Sequence, residues 1–285
     1  MTEPLRQVTI IGTGLLGASL GLALKKQGLA QRIVGVGRNA ATVERARARG
    51  AVDVAAADVA EACREAELVV LATPLSSFEQ LFHALSAVEQ PDWIITDVGS
   101  TKSSVCGLAR RYLKYPKRFV GSHPMAGSEQ QGPDAACADL FAGKPCVITP
   151  EPDTDPAALE RVSRLWTDLG MRVLRMSAAD HDAAVARISH LPHLLAVLLV
   201  HLADRGGALE VASTGFADTT RIASGDPHLW ADVFLHNRDA VLATIDALTA
   251  DLTTARHLIA AADPAVLTDW LAQAKQARDA WRQKS

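Results

Sequence analysis

Hydrophobic and polar positions follow two different rhythms along the chain, and the change falls at about residue 176. Before it, short apolar runs are separated by amphipathic stretches. Val8-Thr9-Ile10-Ile11 has the near-continuous apolar character of a strand covered on both faces. It runs into Gly12-Thr13-Gly14-Leu15-Leu16-Gly17, and residues 18–27 then have helical composition. Further strands are expected at 32–37, 68–72, 93–97, 117–121, 145–149 and 172–176. Helices fall between them, including 42–49 and a stretch from the acidic, proline-containing linker 150–156 to about residue 169. A loop with a short helix is expected at 132–141. Such alternation builds a doubly wound sheet. After Ser177 the strand signals cease. Helical stretches are expected at 179–203, 207–212, 229–253, 254–262 and 264–282, leaving 213–227 as the longer loop.

A strand, then Gly-x-Gly-x-x-Gly, then a helix is the context in which this glycine pattern signals a dinucleotide site. Gly12 makes the tight turn, Gly14 lets a pyrophosphate approach backbone N–H groups at the helix start, and Gly17 permits close helix–strand packing. Leu15 and Leu16 complete the turn. The second strand ends in Gly37-Arg38-Asn39, where NAD-binding units carry an acid for the ribose hydroxyls. Arg38 can pair with a 2′-phosphate, so the reading favours NADP, with NAD as the alternative and a solvated surface charge as the other role for Arg38. Thr73-Pro74, after the strand at 68–72, is expected near the nicotinamide ribose. Ser100 either caps the following helix or points into the crevice. The expected fold class is α/β: a Rossmann-type doubly wound sheet over 1–176, then an all-helical C-terminal dimerisation domain over 177–285.

Composition narrows the setting. The 285 residues are 48% hydrophobic and 21% charged with a net charge of −3, which describes a soluble globular protein and gives no electrostatic argument for nucleic acid or an anionic membrane. Four cysteines form no CxxC pair and read as free thiols in a reducing compartment. The strand at Val8 leaves no room for a signal peptide, and the apolar run 191–203 is interrupted by Pro192, His193 and His201, short of the roughly 20 residues of a membrane span. The expected location is cytoplasmic. Leu191, Leu194, Leu195, Leu198, Leu199 and Leu202 cover more than one helix face, which favours a homodimer through the helical part, although an internal core gives the same stripe.

Four polar segments carry the candidate chemistry. Gly121-Ser122-His123-Pro124-Met125-Ala126-Gly127-Ser128-Glu129 holds a titratable imidazole among small residues after a strand. Ser189-His190-Leu191-Pro192-His193 places two imidazoles on one helix face if the helix continues through Pro192. No third ligand sits at a spacing suited to a metal, so no metal is expected. Gly215-Phe216-Ala217-Asp218-Thr219-Thr220-Arg221 carries a paired acid and base, and Ser224-Gly225-Asp226-Pro227-His228-Leu229-Trp230 is a turn feeding a helix.

Taken together with the glycine turn and Asp97-Val98-Gly99-Ser100, these segments resemble the prephenate/arogenate dehydrogenase family of tyrosine biosynthesis, in order and spacing over almost the whole chain. The resemblance implies hydride transfer from C4 of a cyclohexadienol to a nicotinamide, with loss of the C1 carboxylate as CO2. It implies His123 as acceptor of the C4 hydroxyl proton, with Ser100 bonded to the same hydroxyl or orienting His123. It also implies Arg221 and His193 on substrate carboxylates, His190 as support, Asp218 orienting Arg221, and Ser128 near the pocket. The acid missing after the second strand departs from NAD-preferring members. No mutase segment is expected before Val8 and no regulatory domain after the helices, so feedback inhibition by tyrosine is expected at the substrate pocket. The residues alone leave room for a β-hydroxyacid dehydrogenase, an imine reductase or a non-catalytic nucleotide sensor, in which the His123 and His193 segments have no task.

Overall fold

The computed structural model describes residues 3–127 and 130–283. These divide into two compact units, 1–238 and 239–285. The first opens with β1 (Leu5–Ile11), α1 (Leu15–Lys26), β2 (Ala30–Val36), α2 (Ala40–Ala48), β3 (Val54–Ala56), α3 (Val59–Cys63) and β4 (Leu68–Leu71). It continues through α4 (Phe78–Ser86), β5 (Ile94–Asp97), α5 (Ser103–Tyr112), β6 (Phe119–Pro124), β7 (Pro145–Thr149), α6 (Pro156–Asp168) and β8 (Arg172–Arg175). The helices α7 (Ala178–Val185), α8 (Leu191–Arg205), α9 (Thr214–Thr220) and α10 (Pro227–His236) follow.

Among the described residues the strands form one sheet in the order β3-β2-β1-β4-β5-β6-β7-β8. The first six run parallel in the order of a dinucleotide-binding fold. Only β6 and β7 pair antiparallel, and β7 is parallel to β8. Apolar residues bury on both faces. One cluster joins Ile10 and Leu68 to Leu20 and Leu24 of α1 and Trp166 of α6. The other joins Ile11, Val69 and Ile95 to Phe78 and Phe82 of α4 and Val105 of α5.

Register places the chemistry. Ile11 lies opposite Leu71, Leu71 opposite Asp97, and Thr96 opposite Val120. His123 therefore stands at the level of Thr13, past the carboxyl ends of the central strands. It is three inter-strand steps from β1, roughly 14 Å along the same edge. The strand expected to end before this histidine contains it instead, because pairing with β7 puts His123 opposite Val147.

The helical region differs from expectation in several places. The run 179–203 is one passage from α7 through a wide π-type turn, Ala186–His190, into α8. Pro192 supplies no amide hydrogen, and the widened turn lets the helix pass it. The whole of 178–205 is apolar enough to span a membrane by length and composition, which the shorter run 191–203 was not. It carries buried His181, Asp182 and His190 and packs on the sheet. Leu198, Leu199 and Leu202 stay exposed while Leu191, Leu194 and Leu195 are half-buried, so an internal core accounts for only part of the leucine stripe. The expected helix 207–212 is a 3-10 turn, Leu209–Val211, and the expected loop 213–227 contains α9 and a 3-10 turn, Arg221–Ser224. The stretch 229–253 breaks at Asn237.

The second unit consists of α11 (Arg238–Ala261, which begins one residue earlier) and α12 (Pro264–Arg282). No break falls at residue 254. Asp263 caps α12 through Ala265 N–H (2.9 Å), and Leu252, Ile259, Val266 and Leu271 are exposed on this unit.

Candidate active site

The glycine turn has the three distinct environments that a nucleotide cradle needs. At Gly12 (φ +100°) a Cβ would lie 2.5 Å from the Ala72 carbonyl oxygen, and at Gly17 it would lie 1.9 Å from the Gly12 carbonyl oxygen. At Gly14 nothing comes within 4 Å. Gly14 is also the N-cap of α1 and offers no side-chain oxygen to the first amides, which leaves their N–H groups for an anion at the helix start. Leu15 and Leu16 are half-buried at the helix start, Leu16 against the core. Thr73 lies beside Gly12 and accepts a hydrogen bond from Ser77 Oγ (2.7 Å), while Pro74 is exposed. Arg38 is exposed just after β2 and forms no ion pair among the described residues. The cradle fits a dinucleotide.

A buried polar pedestal underlies His123. The Asp97 carboxylate pairs with the Lys102 ammonium and accepts N–H groups from Gly99 (2.8 Å) and Ser122 (3.0 Å). Lys102 Nζ also donates to the Ser122 carbonyl (2.9 Å), and Trp166 Nε1 donates to Ser122 Oγ (3.1 Å). Burial pushes the Asp97 carboxyl upward against the opposing pull of Lys102. The residue before His123 is thus held on every side.

His123 Nδ1 lies 2.8 Å from His181 Nε2, and His181 Nδ1 lies 2.8 Å from Asp182 Oδ1. Asp182 in turn accepts the backbone N–H groups of Lys102 (2.7 Å) and Ser103 (2.8 Å), serving the first amides of α5 from α7. Burial alone would raise the Asp182 carboxyl, but these hydrogen bonds and the one from His181 hold it below the usual range. Burial, then the neighbouring His181, Lys102 and His190, holds the His123 imidazole well below the ordinary histidine value. That depression leaves the imidazole neutral at physiological pH.

Ser100 is half-buried at the turn, and α5 starts at Ser103 with no side-chain cap. Ser100 therefore does not cap the helix, because Asp182 takes that place, and no hydrogen bond joins it to His123 among the described residues. His190 is buried, with Nδ1 3.1 Å from Asn237 Nδ2, which also donates to the Asp182 carbonyl (2.9 Å). Burial lowers its imidazole to about 4. His193 is 3% exposed and stacked on Trp230, with ring centroids 3.6 Å apart and planes at 11°. Its Nδ1 is buried without a protein partner, and burial again depresses the ring. A Cβ at Gly225 would come within 2.5 Å of Trp230 Nε1 and 3.2 Å of His193 Cε1, so the turn before α10 needs glycine for this stack.

Arg221 opens the 3-10 turn that leads to Gly225 and is exposed, as is Asp218, and no ion pair joins them. Ser128 lies outside the described residues. No group of three metal-binding side chains occurs among the described residues. The residues that sequence reasoning missed are His181, Asp182, Lys102 and Asn237. In sequence, His181-Asp182 reads as a polar spot on an ordinary helix face, and nothing local shows that this face meets the sheet.

The description "Prephenate dehydrogenase, nucleotide-binding domain" matches residues 20–175, and "Prephenate dehydrogenase, dimerization domain" matches 177–273. Cyclohexadienyl dehydrogenase of Zymomonas mobilis is 34% identical over 280 residues, 96% of this chain and 95% of its own. The crystal structure of prephenate dehydrogenase from A. aeolicus with hydroxyphenyl propionate and NAD+ is 31% identical, with a TM-score of 0.92 over 98% of this chain and 99% of that one. Synechocystis arogenate dehydrogenase is 32% identical with a TM-score of 0.84, covering 96% and 99%. With paired domain matches over most of its length and relatives at this level, the chain belongs to the prephenate dehydrogenase family, nicotinamide-dependent oxidoreductases of tyrosine biosynthesis.

Proposed function

We propose that this chain oxidises and decarboxylates prephenate, arogenate or both, giving 4-hydroxyphenylpyruvate or tyrosine, with NADP as the favoured cofactor and NAD as the alternative. Residues 1–176 hold the cofactor, and 177–285 supply substrate contacts and the homodimer surface. The cofactor sits on Gly12, Gly14, Leu15, Leu16 and Gly17, with Thr73 and Pro74 at its nicotinamide end and Arg38 toward a 2′-phosphate. Bound there, the nicotinamide supplies the hydride acceptor. His123 takes the C4 hydroxyl proton as the C4–H bond breaks, and the resulting carbonyl lies in conjugation with C1. The C1–carboxylate bond then breaks, its electron pair enters the ring, CO2 leaves, and the phenolate oxygen takes up a proton. Aromatisation drives this last step without a dedicated acid.

Arg221 clamps a substrate carboxylate, a task suited to a bidentate guanidinium, and Asp218 orients it. His193 donates to the other carboxylate, with His190 behind it. Ser100 bonds the C4 hydroxyl, and Ser128 lines the pocket. The reading places the enzyme in the cytoplasm. The observation that supports it best is His123 held at the carboxyl edge of the sheet, level with the glycine turn, within a chain of this family.

The test is initial rates for prephenate and arogenate, each with NAD and NADP. Turnover of at least one pair is expected, and activity with none refutes the proposal. His123→Asn is expected to lower kcat by at least ~10²-fold, the scale of a lost general base. Near-normal turnover of that variant removes His123 from the role.

A further inference from the structure

The Asp182 carboxylate faces three donors. Two are backbone N–H groups, Lys102 at 2.7 Å and Ser103 at 2.8 Å, which can only donate. A carboxylate so placed is ionised and accepts only. His181 Nδ1, at 2.8 Å from the same group, must then carry a hydrogen, since a bare nitrogen there would set lone pair against lone pair. With its Nδ1 hydrogen spent on Asp182, His181 offers Nε2 as the acceptor in the 2.8 Å contact, which assigns Nδ1–H to His123. His123 Nε2 is left as the bare nitrogen. Hydrogen-bond accounting that starts on Asp182, next to a histidine 58 residues from His123, thus selects one tautomer of the base.

The same line of contacts has somewhere to put a charge. His181 is 0% exposed and touches an anion, whereas His123 touches none. Lys102, whose ammonium is engaged by Asp97, lies near His123 from the start of α5, and His190 faces it from the π-type turn. Cys146 of β7 is close on the other side, its thiol pushed up and uncharged.

We propose that His181, backed by Asp182, is a positioning and proton-sharing residue for His123 in the proposed reaction. It fixes His123 with the proton on Nδ1, and it accepts that proton at Nε2 as the substrate's proton arrives. In this transfer the substrate O–H bond breaks and an Nε2–H bond forms on His123. At the same time the His123 Nδ1–H bond breaks and an Nε2–H bond forms on His181. The positive charge rests on His181 against the carboxylate, away from the hydride-transfer site. No redox partner enters, and the balance is one proton in and one passed on.

The inference rests on the reading of His123 as the base, and two experiments keep the two apart. Nitrogen-15 correlation spectra of histidine-labelled wild-type protein with cofactor bound report ring tautomers directly, with His123→Asn used for assignment. At pH 7.5 His123 and His181 are both expected with Nδ1 protonated and Nε2 bare. An Nε2-protonated His123 overturns the proposal, and this result needs no variant of His181. The second experiment is His181→Gln, whose amide can donate to Asp182 and accept from His123 but cannot take up a proton. It is expected to lower kcat roughly tenfold or more and to move the acid limb of the kcat/KM profile to lower pH, with KM values within about twofold. Wild-type kcat with an unshifted limb overturns the proton-sharing role. Wild-type protein inactive on both cyclohexadienols refutes the functional reading whatever the tautomer.

Discussion

Two glycines three residues apart make the sharpest test of the cradle, because their surroundings predict opposite losses. A Cβ at Gly17 would stand 1.9 Å from the Gly12 carbonyl oxygen, more than 1 Å inside contact distance, and the obstacle is backbone. Helix α1 or the turn must shift, and overpacking of this kind costs about 1–3 kcal/mol or more. At two to four degrees per kcal/mol for a chain of this size, Gly17→Ala is expected to melt roughly 3–10 °C lower. At Gly14 (φ −72°) the backbone suits alanine and no atom lies within 4 Å, so Gly14→Ala should stay within about 2 °C of wild type. Its Cβ instead fills the approach to the α1 amides. Losing one or two hydrogen bonds to a charged phosphate, each about 1.5–3 kcal/mol, weakens cofactor binding by roughly 10- to 10⁴-fold. Thermal unfolding and fluorescence titration with NAD and NADP read both quantities on both variants. Gly14→Ala with wild-type affinity, or Gly17→Ala with wild-type melting, refutes the assignment.

Other consequences follow from the same geometry. His190 is held neutral down to about 4, while the unfolded chain protonates it below about 6.5, so its share of stability is intact above 6.5 and is lost as pH falls toward 4. The loss is about 3 kcal/mol. Denaturant unfolding at pH 7 and pH 4.5 should show it, His190→Asn should flatten it, and a flat wild-type profile contradicts it. Gly225→Ala forces a Cβ to within 2.5 Å of Trp230 Nε1 and should disturb the stack on His193, raising KM for substrate about tenfold, and unchanged KM excludes His193 from substrate binding. Arg38→Ala should raise KM for NADP at least ~10-fold and for NAD less than twofold, and equal effects on both remove the 2′-phosphate contact.

The sheet and its glycine turn were legible because both depend on short-range pattern: contiguous apolar runs, then glycines at fixed spacing. β3 escaped notice because Val54-Ala55-Ala56 is a three-residue, half-buried edge strand whose alanines carry no strand signal. α9 contains Gly215, Thr219 and Asp218, weak helix formers, and packing rather than propensity keeps it helical. The break at Asn237 reflects a buried side chain reaching Asp182 and His190 at once, partners 55 and 47 residues away. Motif reading singled out His123 and His193 for the same reason that it passed over His181: the first two sit in segments of unusual local composition. His181 meets His123 only through a contact 58 residues distant.

Asp182 also has a mechanical meaning. One carboxylate fastens the first long helix to the sheet by gripping the start of α5, so that helix cannot swing without stripping two amides and an imidazole together. His123, His181 and Asp182 are thereby tied to the nucleotide-binding sheet as one buried group.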